Sequence, residues 1–276
     1  MRGTTVTPVT LVIGSTGKTG RRIVHRLAER GHPVRGGSRH LDPPFDWERP
    51  DTWRQALRGA ESVYISYFPD LAAPGAPAAI EKLTACAVDE GVRRLVLLSG
   101  RGEANAQRCE RIVGESGLSH TLIRTSWFSQ NFSEGHLRDS VLDGVIALPA
   151  GEVAEPFVDV DDIADVAVAA LTDDRHSGRL YELTGPRALT FHEAAAEIAK
   201  AADRPVEYVA VSPEVFHAAV AQSAGLDYAD LLTDLCKEVF DGRNASVAHG
   251  VREALGREPR DFTDFCRTAA ASGTWR

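Results

Sequence analysis

Three glycines at intervals of three, in Gly14-Ser15-Thr16-Gly17-Lys18-Thr19-Gly20, give this sequence its most chemically suggestive spacing. The segment follows the apolar run Val9–Ile13 and opens a stretch with helical periodicity. Glycines at such a turn allow a tight bend, let backbone N–H groups approach a pyrophosphate, and let the helix pack close to the strand. The helix N-terminus adds partial positive charge for the phosphates. Dinucleotide binding is the chemistry this predicts. A mononucleotide P-loop, hinted at by Gly17-Lys18-Thr19, needs a glycine where Val12 stands. A plain structural turn is the remaining alternative.

The end of the second strand selects the cofactor. NAD sites usually carry an acid there, about 20 residues beyond the loop, to accept from the ribose hydroxyls. This chain has Gly36-Gly37-Ser38-Arg39-His40, with no acid before Asp42. Arg39 is suited to a 2′-phosphate through a charge-assisted pair, Ser38 to a further hydrogen bond and Lys18 to holding phosphate. The residues favour NADP(H) over NAD(H); an ordinary surface role for Arg39 is the alternative.

Proton-transfer and metal chemistry are poorly supplied. The tyrosines are Tyr64, Tyr67, Tyr181, Tyr208 and Tyr228, and four positions after them stand Phe68, Leu71, Gly185, Ser212 and Leu232, so no Tyr-x-x-x-Lys pair exists. The histidines lack HxxxH and HExxH spacing, and no metal is expected. His136, just past an aromatic segment, is the one histidine placed where a cleft could be, and the sequence does not favour it. Asp159, Asp161 and Asp162 form an acidic cluster, but they precede a helix whose N-terminus favours carboxylates, which makes a structural role the better reading.

A glycine loop of this kind must hang between a strand and a helix, and the flanking sequence supplies both. Val9–Ile13 reads as a strand, and residues 18–30 as a helix with Ile23, Val24, Leu27 and Ala28 on one face and Gly31 as its stop. Strands are predicted at 34–38, 62–66, 94–99 and 120–124, with helices at 51–58, 78–90 and about 103–115 between them. The strand at 94–99 is almost continuously apolar, as when both faces of a parallel sheet are covered. This alternation predicts an α/β, Rossmann-type doubly wound parallel sheet with right-handed crossovers. Further on, strands are predicted at 156–160, 179–184 and 206–211, the last an edge strand, and a helix at 161–171. Thr190-Phe191-His192-Glu193 is a capping box, and Ser212-Pro213 opens another helix. Two more helices are marked by Tyr228, Leu231, Leu232, Leu235 and Val239, and by Phe262, Phe265 and Ala269. The expected domains are an NAD(P)-binding Rossmann domain over 5–150 and a smaller, helix-rich, substrate-capping region over 151–276. The strand and helix of 156–184 are expected to pack back on the Rossmann sheet.

With 276 residues, 43% of them hydrophobic, the chain can build a large core and is no disordered polymer. Its 39 acidic residues outnumber 31 basic ones, and no basic run exceeds a pair, which speaks against nucleic acid as a partner. Cys86, Cys109, Cys236 and Cys266 are scattered without metal spacing and read as reduced, mostly buried thiols of a cytosolic protein. No apolar stretch nears the roughly 20 residues of a membrane span, and the first residues lack a signal-peptide pattern. A cytoplasmic location without membrane contact is the expectation.

Several segments together resemble the NmrA-like branch of the atypical short-chain dehydrogenase/reductases. They are the Gly14–Gly20 loop, Gly37-Ser38-Arg39, Phe45-Asp46-Trp47, Leu97-Leu98-Ser99, Arg124-Thr-Ser-Trp127-Phe128-Ser-Gln-Asn131-Phe132 and Pro156-Phe-Val-Asp159-Val-Asp-Asp-Ile-Ala164. The likeness runs over nearly the whole chain and is strongest to bacterial relatives of the ergot-alkaloid iminium reductases and to NADPH:quinone reductases. It implies a Rossmann domain, a small C-terminal domain and a substrate cleft between them. By the same resemblance Asp46 and Trp47 lie by the adenine, Ser66 and Tyr67 along the cofactor, and Ser99 near the nicotinamide. Trp127, Phe128 and Asn131 wall the substrate pocket; Trp127 and Phe128 as core aromatics are the other reading.

The Tyr/Lys acid of typical short-chain dehydrogenases is missing, which bears on the reaction. Hydride delivered to a ketone makes an alkoxide that needs a strong proton donor, whereas an iminium becomes a neutral amine and needs none. A quinone gives a stabilised anion for which a weak hydrogen bond or water suffices. The expectation is an NADPH-dependent oxidoreductase acting on an iminium, quinone or enone, aromatic or conjugated, with Ser99, Tyr67, Trp127 and Asn131 orienting it. The alternatives are a non-catalytic NADP(H)-sensing regulator and a non-redox isomerase or cyclase on the same fold. A monomer or homodimer is expected. Replacement of Arg39 by an acid (Arg39→Glu) is expected to weaken NADPH by about tenfold more than NADH in calorimetry; equal losses would remove Arg39 from cofactor selection.

Overall fold

Strand β1 (Val9–Ile13) is buried along almost its whole length and is second from one edge of the six-stranded main sheet. A computed structural model describes residues 9–135 and 137–276, so His136 and residue positions 5–8 of the expected first domain lie outside the described residues. Helix α1 (Lys18–Glu29) buries Thr19, Gly20, Ile23 and Leu27, so its apolar stripe faces the sheet. Then follow β2 (Val34–Gly37), a 3₁₀ turn at Pro50–Thr52, α2 (Trp53–Leu57), β3 (Ala60–Ile65), α3 (Ala76–Asp89), β4 (Arg94–Gly100), α4 (Ala104–Gly114) and β5 (Ser119–Thr125). The second half holds α5 (Asn131–Glu134), α6 (Leu137–Asp143), β6 (Val145–Leu148), β7 (Ala154–Glu155), α7 (Val160–Thr172), β8 (Arg179–Leu183), β9 (Leu189–Thr190), α8 (Phe191–Ala202) and β10 (Glu207–Ala210). Helices α9 (Pro213–Ala224), α10 (Leu226–Val239), α11 (Gly250–Leu255) and α12 (Phe262–Ala271) complete the chain.

The six-stranded sheet has the order β2-β1-β3-β4-β5-β8. Its β1–β2, β1–β3 and β3–β4 pairs run parallel, with Leu11 opposite both Arg35 and Val63. The chain leaves β1 for β2 on one side and returns to β3 on the other, which creates the strand-order reversal at whose carboxyl edge open α/β sheets bind ligands.

By contact the chain divides into two compact units. The first runs to Ser99 and adds Ala104–Arg124 and Ile163–Tyr181; the second comprises Gly100–Glu103, Thr125–Asp162 and Glu182–Arg276. The core of the first joins Leu11 and Ile13 to Trp53, Ile80, Leu83, Leu95, Leu97 and Cys109. The core of the second is rich in aromatics, with Phe132, Phe157, Phe191, Phe262 and Phe265 in mutual contact along α8, α12 and the segments between.

One expectation needs correction. The strand predicted at 156–160 is instead a two-residue strand at Ala154–Glu155, paired antiparallel with β9. Pro156 has no N–H for a ladder, Val158 makes only a single bridge with Phe128, and the Asp159 carboxylate accepts from Asp161 N at 2.7 Å, so helix α7 already begins at Val160. The edge strand predicted at 206–211 exists as β10, but its partner β6, in parallel register Tyr208 to Ile146, carries no clear sequence signal.

Gly20 is the tightest point between α1 and the turn before it. A Cβ there would lie 2.1 Å from Gly14 O and 2.8 Å from Ser15 Cα, both backbone atoms. Gly20→Ala is therefore expected to cost about 3 kcal/mol in urea unfolding; a loss below about 0.5 kcal/mol would contradict this close approach.

Candidate functional site

The glycine loop folds back on itself through its own backbone. Gly14 has φ +76°, a left-handed conformation that suits glycine. The N–H groups of Gly14 and Ser15 donate to Gly37 O at 3.0 and 3.3 Å, Ser15 Oγ donates to the same oxygen, and Gly17 N donates to Gly14 O at 2.9 Å. Gly17 is the N-cap of α1, no side chain caps it, and the first helical turn contains no acid. The positive end of the helix thus meets neither a capping side chain nor an acid of its own first turn, an arrangement that suits an anion. Thr16 and Gly17 are exposed and Lys18 is half-buried, whereas Thr19 is buried and accepts from Tyr64 Oη at 2.9 Å. An acid-free, uncapped helix start behind a glycine turn fits a pyrophosphate.

The loop after β2 is equally bare of acids. Arg39 is exposed and pairs with no carboxylate among the described residues, and Ser38 Oγ is shielded but has no hydrogen-bond partner. Asp46 organises the next turn: its carboxylate accepts from Glu48 N at 3.1 Å and its carbonyl from Trp53 Nε1 at 2.6 Å. Trp47 donates through Nε1 to Ser66 O at 3.3 Å and packs against Phe45, Trp53 and Tyr67, the last with ring centroids 4.7 Å apart. Burial, with Cys109 nearby, raises the Tyr67 hydroxyl above its ordinary pKa, so it keeps its proton at neutral pH.

Ser99, at the carboxyl end of β4, donates to Glu110 Oε1 at 2.7 Å. Arg124 on β5 holds the same carboxylate, with Nε 2.9 Å from Oε1 and Nη2 on Oε2. Ser99 and Glu110 are buried. Sequence reading missed Glu110; its signal is a carboxylate on the same face of α4 as the buried Ala106, Cys109 and Val113. Gly14–Gly20, Ser38, Arg39, Asp46, Trp47, Ser66, Tyr67 and Ser99 all belong to the first unit.

Trp127 and Asn131 belong to the second unit. Trp127 is half-buried against Phe191 and Phe240, with centroids 5.7 and 4.9 Å away, and Asn131 starts α5 with its N–H on Phe128 O. The carboxylates at 159–162 serve the start of α7. Asp159 also accepts from Gln130 Nε2 at 2.9 Å, and the fully buried Asp162 pairs with Arg257 and Arg260. Arg101 donates to Asn244 O, Ser246 O and Ser246 Oγ. Glu155 is fully buried, and among the described residues neither carboxylate oxygen has a hydrogen bond. Burial pushes its pKa up to about 7, against the opposing pull of the Arg101 charge. Among the described residues no group of three or more acids, histidines or cysteines could hold a metal, and no helix is long and apolar enough to cross a membrane.

A family model described as NAD(P)H-binding matches residues 14–174, more than half of the chain. The chain belongs to this NmrA-like, atypical short-chain dehydrogenase/reductase family. Among relatives of this NAD(P)H-binding family, the uncharacterized oxidoreductase YesF of Bacillus subtilis is 32% identical over 96% of each chain. Agroclavine dehydrogenase of Claviceps fusiformis is 30% identical over 92% of this chain and 95% of its own. The fold matches the NADPH-dependent quinone oxidoreductase QOR2 of Escherichia coli, solved with NADPH, at a TM-score of 0.79 and 20% identity, covering 94% of this chain and 99% of that one. As a member of the family the protein is an NAD(P)H-dependent oxidoreductase.

The raised pKa of Glu155 has a consequence for stability. Because the folded value of about 7 exceeds the ordinary 4.5, the unfolded chain releases this proton first, and stability falls as pH rises through that window. Glu155→Gln is expected to stabilise the protein by about 2–3 kcal/mol at pH 8 and much less at pH 5. Urea unfolding at both values checks this, and a gain independent of pH would exclude the carboxyl as its source.

Proposed function

We propose that the protein uses NADP(H) and reduces an electrophilic small molecule, an iminium, quinone or conjugated enone of aromatic or extended shape, without a tyrosine–lysine acid. The observation that carries this reading is the composition of α4, the helix following Ser99. It contains neither tyrosine nor lysine, and the polar group it turns to Ser99 is the Glu110 carboxylate, an acceptor. A developing alkoxide would find no strong proton donor there.

When bound, the reduced nicotinamide supplies a hydride. An iminium carbon taking that hydride leaves a neutral amine and requires no proton; a quinone or enone requires one proton, for which water suffices. The chain's part is to bind and orient. The amides of Gly14–Gly20 with Lys18 hold the pyrophosphate, and Arg39 with Ser38 holds the 2′-phosphate, a role consistent with Arg39 having no carboxylate partner among the described residues. Asp46 and Trp47 flank the adenine, while Ser66, Tyr67 and Ser99 lie along the cofactor. Trp127 and Asn131 orient the substrate. In this reading residues 5–150 form the dinucleotide-binding domain and 151–276 the substrate-capping region of a cytoplasmic monomer or homodimer whose partners are small molecules.

Stopped-flow oxidation of bound NADPH by a panel of quinones, enones and cyclic imines tests this reading. At least one class is expected to oxidise bound NADPH about a hundredfold faster than free NADPH. Tight NADPH binding with no acceleration by any member would overturn the proposed substrate class.

A further inference from the structure

The polarity of the Ser99 hydroxyl is set by its neighbours. A serine hydroxyl has one hydrogen and a carboxylate has none to offer, so the 2.7 Å contact between Ser99 Oγ and Glu110 Oε1 is a donation from serine to glutamate. Arg124, also a pure donor, fixes the carboxylate from the other side through Nε and Nη2. Glu110 therefore cannot rotate to accept elsewhere without abandoning a charge-assisted pair. Burying such a pair gains little stability over an apolar replacement, so its presence at the end of β4 calls for another account.

The sheet order supplies one. Ser38 and Arg39 follow β2 on one side of β1, whereas Ser66 follows β3 and Ser99 lies at the carboxyl end of β4 on the other. A dinucleotide whose pyrophosphate rests at the β1–α1 turn extends its adenosine half toward β2 and its nicotinamide half toward β3 and β4. We propose that Glu110 is a positioning residue. By taking the only hydroxyl hydrogen of Ser99, it makes Ser99 Oγ an acceptor for the N–H of the nicotinamide carboxamide and thereby sets the orientation of the ring. The proposal rests on the reading that Ser99 lies beside the nicotinamide half of the cofactor.

The test compares calorimetric binding of NADPH with that of 2′-phospho-ADP-ribose, which lacks the nicotinamide ring. Glu110→Gln presents an amide that can donate to Ser99 and reverse its polarity. This variant and Ser99→Ala are each expected to weaken NADPH about tenfold while changing 2′-phospho-ADP-ribose less than twofold. The double variant should be no weaker than either single one, because both act on one hydrogen bond. Unchanged NADPH affinity, equal loss of both ligands, or additive losses in the double variant would each overturn the proposal. Should Glu110→Gln fail to fold, Glu110→Asp, which keeps the charge facing Arg124 but shortens the reach to Ser99, reads the same way. A wild-type protein that binds neither ligand would remove the cofactor reading itself, a result distinct from all of these.

Discussion

The contact between the start of α1 and the turn that precedes it governs the geometry of the binding site. Gly20 lies so close to the carbonyl of Gly14 that no side chain fits between them. The helix is thereby drawn against β1, and its uncapped first turn is set directly beyond the strand. Phosphate recognition by backbone amides depends on this placement, because amides cannot reach out as side chains do. Tyr64, on the neighbouring β3, secures the same helix through Thr19 from within the core. The loop residue types thus divide their work: Thr19 anchors inward, while Thr16 and Gly17 stay exposed.

The first unit was largely legible because its signals are local and repeated. Val9–Ile13 is a strand as predicted, and helices ended by glycine recur at Gly31 and Gly91, both with positive φ. The capping box at Thr190 and Glu193 and the Ser212 cap also form as their spacing predicts. The short strands of the second unit were less legible. β6 is paired with β10 across more than fifty residues of sequence, and only two residues of β7 pair with β9. Such strands owe their existence to a distant partner, which periodicity cannot reveal. At 156–160 a run of apolar and acidic residues looked extended, yet Asp159 capping favours the helix.

At the candidate site the glycine spacing and the bare Gly36–Arg39 stretch were readable because they depend on backbone and on missing acids. The Ser99–Glu110–Arg124 set was not, since its members are spread over three elements and meet only in the folded unit. Buried charge follows two opposite patterns in this protein. Glu110 and Asp162 are surrounded by donors, whereas Glu155 has no hydrogen bond to either oxygen among the described residues. The first pattern fixes geometry; the second leaves a carboxyl whose charge state follows ambient pH.

The interleaving of the two units along the chain bears on how the protein is made. The first unit draws its last segment, Ile163–Tyr181, from beyond the whole Thr125–Asp162 stretch, and β8 closes the edge of the sheet beside β5. A nascent chain emerging from the ribosome at about 5–20 residues per second must therefore hold an incomplete sheet, with the β5 edge unpaired, until β8 has been synthesised. Until then that edge presents unpaired N–H and C=O groups, a template on which another chain can pair.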